Sequence, residues 1–392
     1  MALPKSSETK KVNLDFNKEF INTFTQNIER GNVEFVNQTL KDLHEADVAN
    51  LIENLTSDTR TKLIEIESFN IDPEIFIELN ESIQSEVLQL LSIESLIKII
   101  KRLESDDAIK ILENLSKETK EKVLEKLPPK DKFLLQEGLS YPEDSAARIM
   151  QREFTAVPSN WTVGQTIDYL REDKDLPEEF LEIFIVDNDF KPIGTVPSSR
   201  VLRTSRDLKM SSIMREMPVL ISVNMDKEEV GLTFENYNLV SAGVVNKENK
   251  LVGMITADDV VTVVQEEAEE DALRLAGVGD EEITDSVMLK TKRRFNWLLL
   301  NLFTALLATW VISFFGASIE QMVALAFLMP IVASMGGNAG MQTLAVTIRA
   351  IATKELSKSN FNRVVGKEFL IGILNGIIFA IITAIIVQLW FK

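Results

Sequence analysis

Thirteen residues, Pro330-Ile331-Val332-Ala333-Ser334-Met335-Gly336-Gly337-Asn338-Ala339-Gly340-Met341-Gln342, set three glycines, an Asn and a Gln inside a run without ionisable side chains. Irregular backbone at membrane depth is tolerated only where protein or a water-filled path satisfies it, so this polar break implies a route for transport. A second concentration of oxygen donors is Gln265-Glu266-Glu267-Ala268-Glu269-Glu270-Asp271, in which five of seven residues are acidic. The chain has no Cys and a single His, His44, which excludes a disulfide framework and a Cys/His zinc site. Any metal bound here is a hard cation held by oxygen: Mg²⁺, Ca²⁺ or Mn²⁺. His44 lies in an amphipathic helical stretch and is expected to be a surface or packing residue. With no P-loop or nucleophile motif either, an enzyme is not expected.

The charges lay out the segment that carries the break. Twenty-five residues between Arg294 and Glu320, 28 between Glu320 and Arg349, and 23 between Glu368 and Lys392 contain no Asp, Glu, Lys or Arg. About 20 helical residues cross a hydrocarbon core of roughly 30 Å, so three spans are expected, near Asn296–Phe315, Met322–Thr347 and Phe369–Phe391. Lys290, Lys292, Arg293 and Arg294 precede the first, and Arg349, Lys354, Lys358, Arg363 and Lys367 surround the link between the second and third. The positive-inside rule then places the large N-terminal part in the cytosol, as expected for a multi-pass protein of the cell (inner) membrane.

The formal charge of −18 hides two opposite parts. The last 103 residues hold 10 Lys+Arg against 3 Asp+Glu, a charge of +7, while the preceding 289 hold 32 against 57, a charge of −25. An acidic cytosolic part argues against a nucleic-acid partner, which needs clustered Lys and Arg. It suits cation binding or solubility. The N-terminus is polar from Lys5 to Asn17 and shows no cleavable signal.

Two internal repeats organise the acidic part. Asp47-Val48-Ala49-Asn50-Leu51-Ile52-Glu53-Asn54-Leu55 recurs 60 residues later as Asp107-Ala108-Ile109-Lys110-Ile111-Leu112-Glu113-Asn114-Leu115, with apolar residues at helical spacing. Residues 15–135 therefore read as a stack of short amphipathic helices behind a disordered N-terminus, 1–14. Pro128-Pro129 closes the stack. Further on, Ile185–Val196 aligns without gaps on Val244–Ile255 at an offset of 59. Each copy reads as strand, polar turn, strand with Gly and then helix, opened by Ile149-Met150 or Ile213-Met214. This pattern resembles the paired CBS domain, here 136–205 with its linker and 206–264. The resemblance implies that the two copies pack together and pair with a second chain. In some relatives the cleft binds adenine nucleotides, so ATP or a similar ligand is open.

The order of helical-repeat domain, CBS pair, acidic connector 265–294 with Glu-Asp-Ala-Leu-Arg-Leu-Ala-Gly-Val, Phe295-Asn296-Trp297-Leu298-Leu299 and Met335–Gln342 resembles the MgtE family of magnesium channels over nearly the whole chain. The implied fold is a multidomain membrane protein: a cytosolic α-helical repeat domain, an α/β CBS pair, an acidic connecting helix and an α-helical transmembrane bundle, 295–392. The implied function is Mg²⁺ uptake by a homodimer in membrane lipid, closed when cytosolic Mg²⁺ binds between the helical domain, the CBS pair and the connector. Residue by residue, the resemblance points to Asp226, Glu228, Asp259, Glu267 and Glu270 as regulatory Mg²⁺ ligands, with Asp106 and Asp107 contributing from the helical domain. In the pore it points to Gly336, Gly337 and Asn338, where an ion keeps much of its water shell. The glycines could alternatively serve close helix packing.

The chain departs from the family in three respects. Asn238 and Thr262 stand where relatives commonly have acids. The family has five membrane helices and an acidic residue of the fifth faces the ion, whereas three spans are expected here and none contains Asp or Glu. A second function therefore stays open: a truncated, non-conducting, membrane-tethered regulator that senses Mg²⁺ or an adenine nucleotide.

Overall fold

The helical repeat is visible first as a repeat of burial. The computed structural model describes residues 16, 18–67, 71–174, 176–177, 180–217, 219–275, 277–278, 287–322, 324–352, 355–356 and 359–390; the expected disordered tail, 1–14, lies outside them. Helices Glu45–Glu53 and Ser105–Glu113 bury Val48, Ala49, Leu51 and Ile52 in one case and Ala108, Ile109, Ile111 and Leu112 in the other, each set 60 residues from its counterpart. Positions i, i+1, i+3 and i+4 form one apolar face of a helix, and that face must be covered. Leu55 and Leu115 follow, both buried, and helices Ser57–Glu67 and Lys117–Lys126 then turn back. Phe24, Leu63, Phe76, Val87 and Leu96 from neighbouring helices complete a single core. His44 caps Glu45–Glu53: its Nδ1 accepts from the Ala46 N–H at 3.3 Å. It is an exposed capping residue.

The two CBS copies have the same topology. In the first, strand β1 (Ala156–Pro158) runs parallel to β2 (Glu182–Val186), which pairs antiparallel with β3 (Pro192–Pro197). In the second, β4 (Ile221–Ser222) runs parallel to β5 (Ser241–Val245), antiparallel to β6 (Leu251–Thr256). Glu182↔Pro197 and Ser241↔Thr256 head the two registers, which are 59 residues apart, and each ladder shifts at the equivalent step, Ile185/Val186 or Val244/Val245. Phe184, Val186, Leu251 and Met254 form an apolar cluster between the copies.

The opening segments are exchanged. Gln151 bridges Met254 on the second copy, and Arg215 bridges Thr195 on the first. Ala146, Ala147 and Met150 are buried with Val244 and Ile255, while Met210 joins Val157, Ile183 and Val196. The glycine in each second strand makes this crossing possible. A Cβ on Gly194 would lie 2.6 Å from the Arg215 carbonyl oxygen, and one on Gly253 would lie 2.8 Å from that of Gln151.

Residues from Val264 onward form a separate unit. The connector helix runs Ala257–Leu275, and long helices follow at Val287–Ser313, Ala324–Ala352 and Phe361–Trp390. Among the described residues, Val287–Ser313 and Phe361–Leu389 are long and apolar enough to cross a membrane. The middle helix has the length, but its Gly, Asn and Gln residues lower its hydropathy. It also corrects the expected break. Helix continues from Ala324 through Pro330 and Gly336-Gly337-Asn338 to Ala352. Pro330 removes one hydrogen bond, and the glycines keep negative φ, so the remaining backbone groups stay in the helical ladder.

Candidate cation-sensing site

Helix Ser105–Glu113 brings its first turn against the second CBS copy because two fastenings hold it there. The Ser105 N–H and Oγ donate to Glu153 Oε2 at 3.2 and 2.8 Å, and the Arg152 N–H donates to Ser105 Oγ at 2.7 Å. Along the same seam Arg148 pairs with Glu113, and Arg152 Nη1 lies 3.2 Å from Glu137 Oε2. These contacts tie the helical domain to residues 148–153, which themselves cross to the second copy. Asp106 and Asp107 are thereby set near Asp259, in the first turn of helix Ala257–Leu275.

The result is a set of carboxylates with little cationic compensation. Asp106 is buried, and its Oδ1 has no hydrogen-bond partner. Burial first, then the charges of Asp259, Asp107 and Glu104, push its carboxyl well above the usual range. Asp107 is pushed up to about 6 by burial and by Asp259, with Lys110 opposing. Glu104 is pushed up to about 7 by burial and by the charges of Glu153, Asp259, Asp107 and Glu74. Asp259 is raised by burial, against hydrogen bonds from Thr256, and is further raised by Asp258. Thr256 Oγ1 and Gln151 Nε2 donate to Asp259 Oδ2 at 2.5 and 3.2 Å and fix its direction.

Carboxylates in the first turn of a helix ordinarily gain from the helix dipole. Here desolvation and mutual repulsion outweigh that gain. The donor set is all oxygen and one oxygen is orphaned in the interior, which fits a hard divalent cation. Among the described residues no three Asp, Glu or His side chains converge closely enough to hold a metal ion directly. A cation admitted between them would act through retained water, the mode that slowly dehydrating Mg²⁺ favours.

The other expected ligands lie elsewhere. Asp226 caps helix Lys227–Tyr237, accepting from the Glu228 N–H at 3.0 Å, and both side chains are exposed. Glu267 and Glu270 lie further along the connector helix, and Glu270 pairs with Arg274. Asn238 closes Lys227–Tyr237 in the left-handed conformation, φ 49° and ψ 51°, which Asn tolerates better than most residues. The Thr262 hydroxyl points back to the Asp258 carbonyl at 3.5 Å. In the membrane unit nothing lies within 4 Å of where a Cβ on Gly336, Gly337 or Gly340 would sit. Among the described residues no neighbour packs closely on these glycines.

Three acids absent from the expected set, Glu74, Glu104 and Glu153, belong to the electrostatic cluster. The signal for the helical-domain acids was in the repeat: Ala46 and His44 in the first copy become Asp106 and Glu104 in the second. The CBS repeat carries a stronger one. Arg200, Arg203 and Pro197 occupy the positions of Asp259, Thr262 and Thr256. Arg200, Arg203 and Arg215, with Pro197, Ser199 and Thr204, line a cavity of about 310 Å³ in the first copy. The two equivalent clefts thus have opposite charge.

Comparison with known proteins agrees with this architecture. Residues 43–144 match the MgtE intracellular N domain, 146–207 and 210–266 match CBS domains, and 329–392 match the divalent cation transporter domain of the same family. In its helical domain and its C-terminal helices the chain is similar to the MgtE family. The magnesium transporter MgtE of Bacillus subtilis is 31% identical over 253 residues, 64% of this chain and 56% of that protein. MgtE of Thermus thermophilus is 30% identical over 240 residues, 60% of this chain and 53% of its own length. The chain thus matches little more than half the length of these MgtE relatives. The crystal structure of the cytosolic domain of the Mg²⁺ channel MgtE in complex with ATP superposes with a TM-score of 0.57 at 24% identity, covering 62% of this chain and 99% of that one, which places the fold of the helical domain and CBS pair.

Proposed function

We propose that the chain serves Mg²⁺ transport across a membrane, with conduction governed by a carboxylate sensor between the helical domain and the second CBS copy. The observation that supports this most directly is Asp106, buried with an orphaned oxygen and within the electrostatic reach of Asp259 and Asp107. Two carboxylates about 6 Å apart repel by roughly 3 kcal/mol at an effective dielectric near 20. A divalent cation removes that repulsion, and a few such relieved pairs reach the roughly 5.5 kcal/mol that moves a gate from 1:99 to 99:1. Asp259 stands in the first turn of the helix that carries Glu267 and Glu270, so a cation there acts at the base of the connector. High cytosolic Mg²⁺ then holds the sensor compact and closes the path; low Mg²⁺ releases it.

The full chain in detergent should become more protease-resistant with millimolar Mg²⁺, and Asp259→Asn should abolish the effect; a cleavage pattern indifferent to Mg²⁺ would overturn the sensor. Mg²⁺ uptake by reconstituted chain separates a conducting protein from the tethered regulator, which would bind Mg²⁺ without flux.

Two finer readings have support of their own. Leu181 and Leu202 of the first copy, 68% and 78% exposed, have their counterparts 59 residues on in Val240 and Val261, 52% and 65% exposed. Paired apolar positions repeated on both copies suit a second copy of the chain, and hence a homodimer. The arginine-lined cavity of the first copy suits phosphates, which guanidinium groups bind in forked geometry. A nucleotide such as ATP is the corresponding ligand at the CBS pair.

A further inference from the structure

The third long helix extends beyond the expected span and carries an acidic residue at the edge of the charge-free run. Helix Phe361–Trp390 begins eight residues before the charge-free run and includes Glu368. Glu368 Oε2 accepts a hydrogen bond from Thr343 Oγ1 of the middle helix at 3.3 Å. Thr343 lies nine residues from the end of its helix at Ala352, about 13.5 Å, and Glu368 lies seven residues from the start of its own at Phe361, about 10.5 Å. The two groups therefore meet at one depth, inside the ends of both helices. Glu368 stands next to Lys367 at the edge of the charge-free run, and among the described residues its recorded hydrogen-bond partner is a neutral hydroxyl.

We propose that Glu368, oriented by Thr343, is a recruiting station for a hydrated divalent cation beside the polar stretch of the middle helix. This deepens the transport reading and rests on it. The station is distinct from Asn338. Five residues separate Asn338 from Thr343, about 7.5 Å along the axis and roughly 140° around it. Gly336, seven residues before Thr343, shares its face to within roughly 20° and leaves open space beside it. An ion that keeps its first water shell needs such room, and a carboxylate and hydroxyl can hold that shell by accepting and exchanging hydrogen bonds. The negative charge that the polar stretch itself lacks is then supplied across the helix pair, nearer the Ala352 end.

The test uses the full chain in lipid nanodiscs, with Asp259→Asn as background so that closure of the sensor cannot mimic protection. A lipid-soluble carbodiimide modifies carboxyl groups, and mass spectrometry of the peptide containing Glu368 reads the extent. Millimolar Mg²⁺ should lower modification of Glu368 several-fold, K⁺ at equal ionic strength should not, and Thr343→Ala should weaken the protection. Modification indifferent to Mg²⁺, or protection by K⁺ to the same extent, would overturn the station. Flux is read separately in liposomes. Protection without uptake removes the transport reading and leaves the site; uptake unchanged by Glu368→Gln, without protection, removes the site and leaves transport.

Discussion

Replacing Asp107 by Asn should stabilise the cation-free cytosolic unit, although it removes a residue of the proposed sensor. The carboxyl of Asp107 stands at about 6 against an ordinary 3.8, through burial first and the Asp259 charge second. Ionising it at pH 7.5 in the folded state therefore costs about 3 kcal/mol relative to the unfolded chain, at ~1.4 kcal/mol per pH unit. Asn keeps the shape and removes the charge, so most of that cost, about 2–3 kcal/mol after solvent screening, should return as stability. For a unit of this size each kcal/mol moves the melting temperature by about 2–4 °C, which gives a rise of ~5–10 °C.

The pH dependence has a definite sign. A carboxyl raised on folding binds more protons in the native state, so its contribution is most favourable below about pH 4 and is lost as pH rises towards the folded values near 6 and 7 for Asp107 and Glu104. Residues 1–263 have their own apolar cores, so melting of this piece in EDTA, followed by circular dichroism at pH 5 and pH 7.5, reads the effect. Wild type should melt lower at pH 7.5 than the carboxylate cluster allows at pH 5, and Asp107→Asn should reduce that difference. Millimolar Mg²⁺ should raise the wild type at pH 7.5 and raise the variant less. A variant no more stable than wild type at pH 7.5 in EDTA, or one with an unchanged pH difference, would refute the electrostatic account of this cluster.

Other substitutions probe the supports of the site. Gly253→Ala should destabilise the cytosolic unit by about 1–3 kcal/mol in urea titration, because its Cβ would meet the Gln151 carbonyl at 2.8 Å and push away the segment that orients Asp259. Asn238→Ala should cost about 1 kcal/mol, since Ala lacks the local hydrogen bonding that eases the left-handed φ of 49°, while Asn238→Gly should be neutral or stabilising in the same titration. Arg200→Ala should weaken binding of ATP, measured by calorimetry on the full chain, several-fold while leaving Mg²⁺-dependent protease protection in place.

The architecture was legible because its signals are local or duplicated. Apolar spacing around Val48–Leu55 and Ala108–Leu115 marks helix faces, the 59-residue offset marks two equal β-rich units, and long uncharged runs mark membrane helices. Exchange of the opening segments was not legible: it depends on Gln151 meeting Met254 and Arg215 meeting Thr195, which no local pattern encodes. Continuity of the middle helix was misjudged because Gly and Asn weaken a helix in water, whereas nonpolar surroundings leave an unbonded peptide group no alternative partner. The resemblance pointed to Asp106, Asp107 and Asp259 as ligands without saying which of them lie together; Glu104 and Glu153 join them through packing of the helical domain on residues 148–153.

Comparison of the copies with each other explains where the chemistry comes from. Duplication supplies two clefts with the same strands, the same register shift and the same close glycine. Single positions then set their charge: Asp259 with Thr256 and Gln151 in one, Arg200 with Pro197 and Arg215 in the other. The helical repeat diverges in step, since Asp106 and Glu104 replace Ala46 and His44 on the helix that docks against the acidic cleft. His44, exposed at the start of its helix, serves there as a cap for the Ala46 N–H. Asp106, at the copy that meets Asp259, is left with an unpartnered oxygen, and the proposed cation between the two acids would relieve a repulsion that neither domain would carry alone.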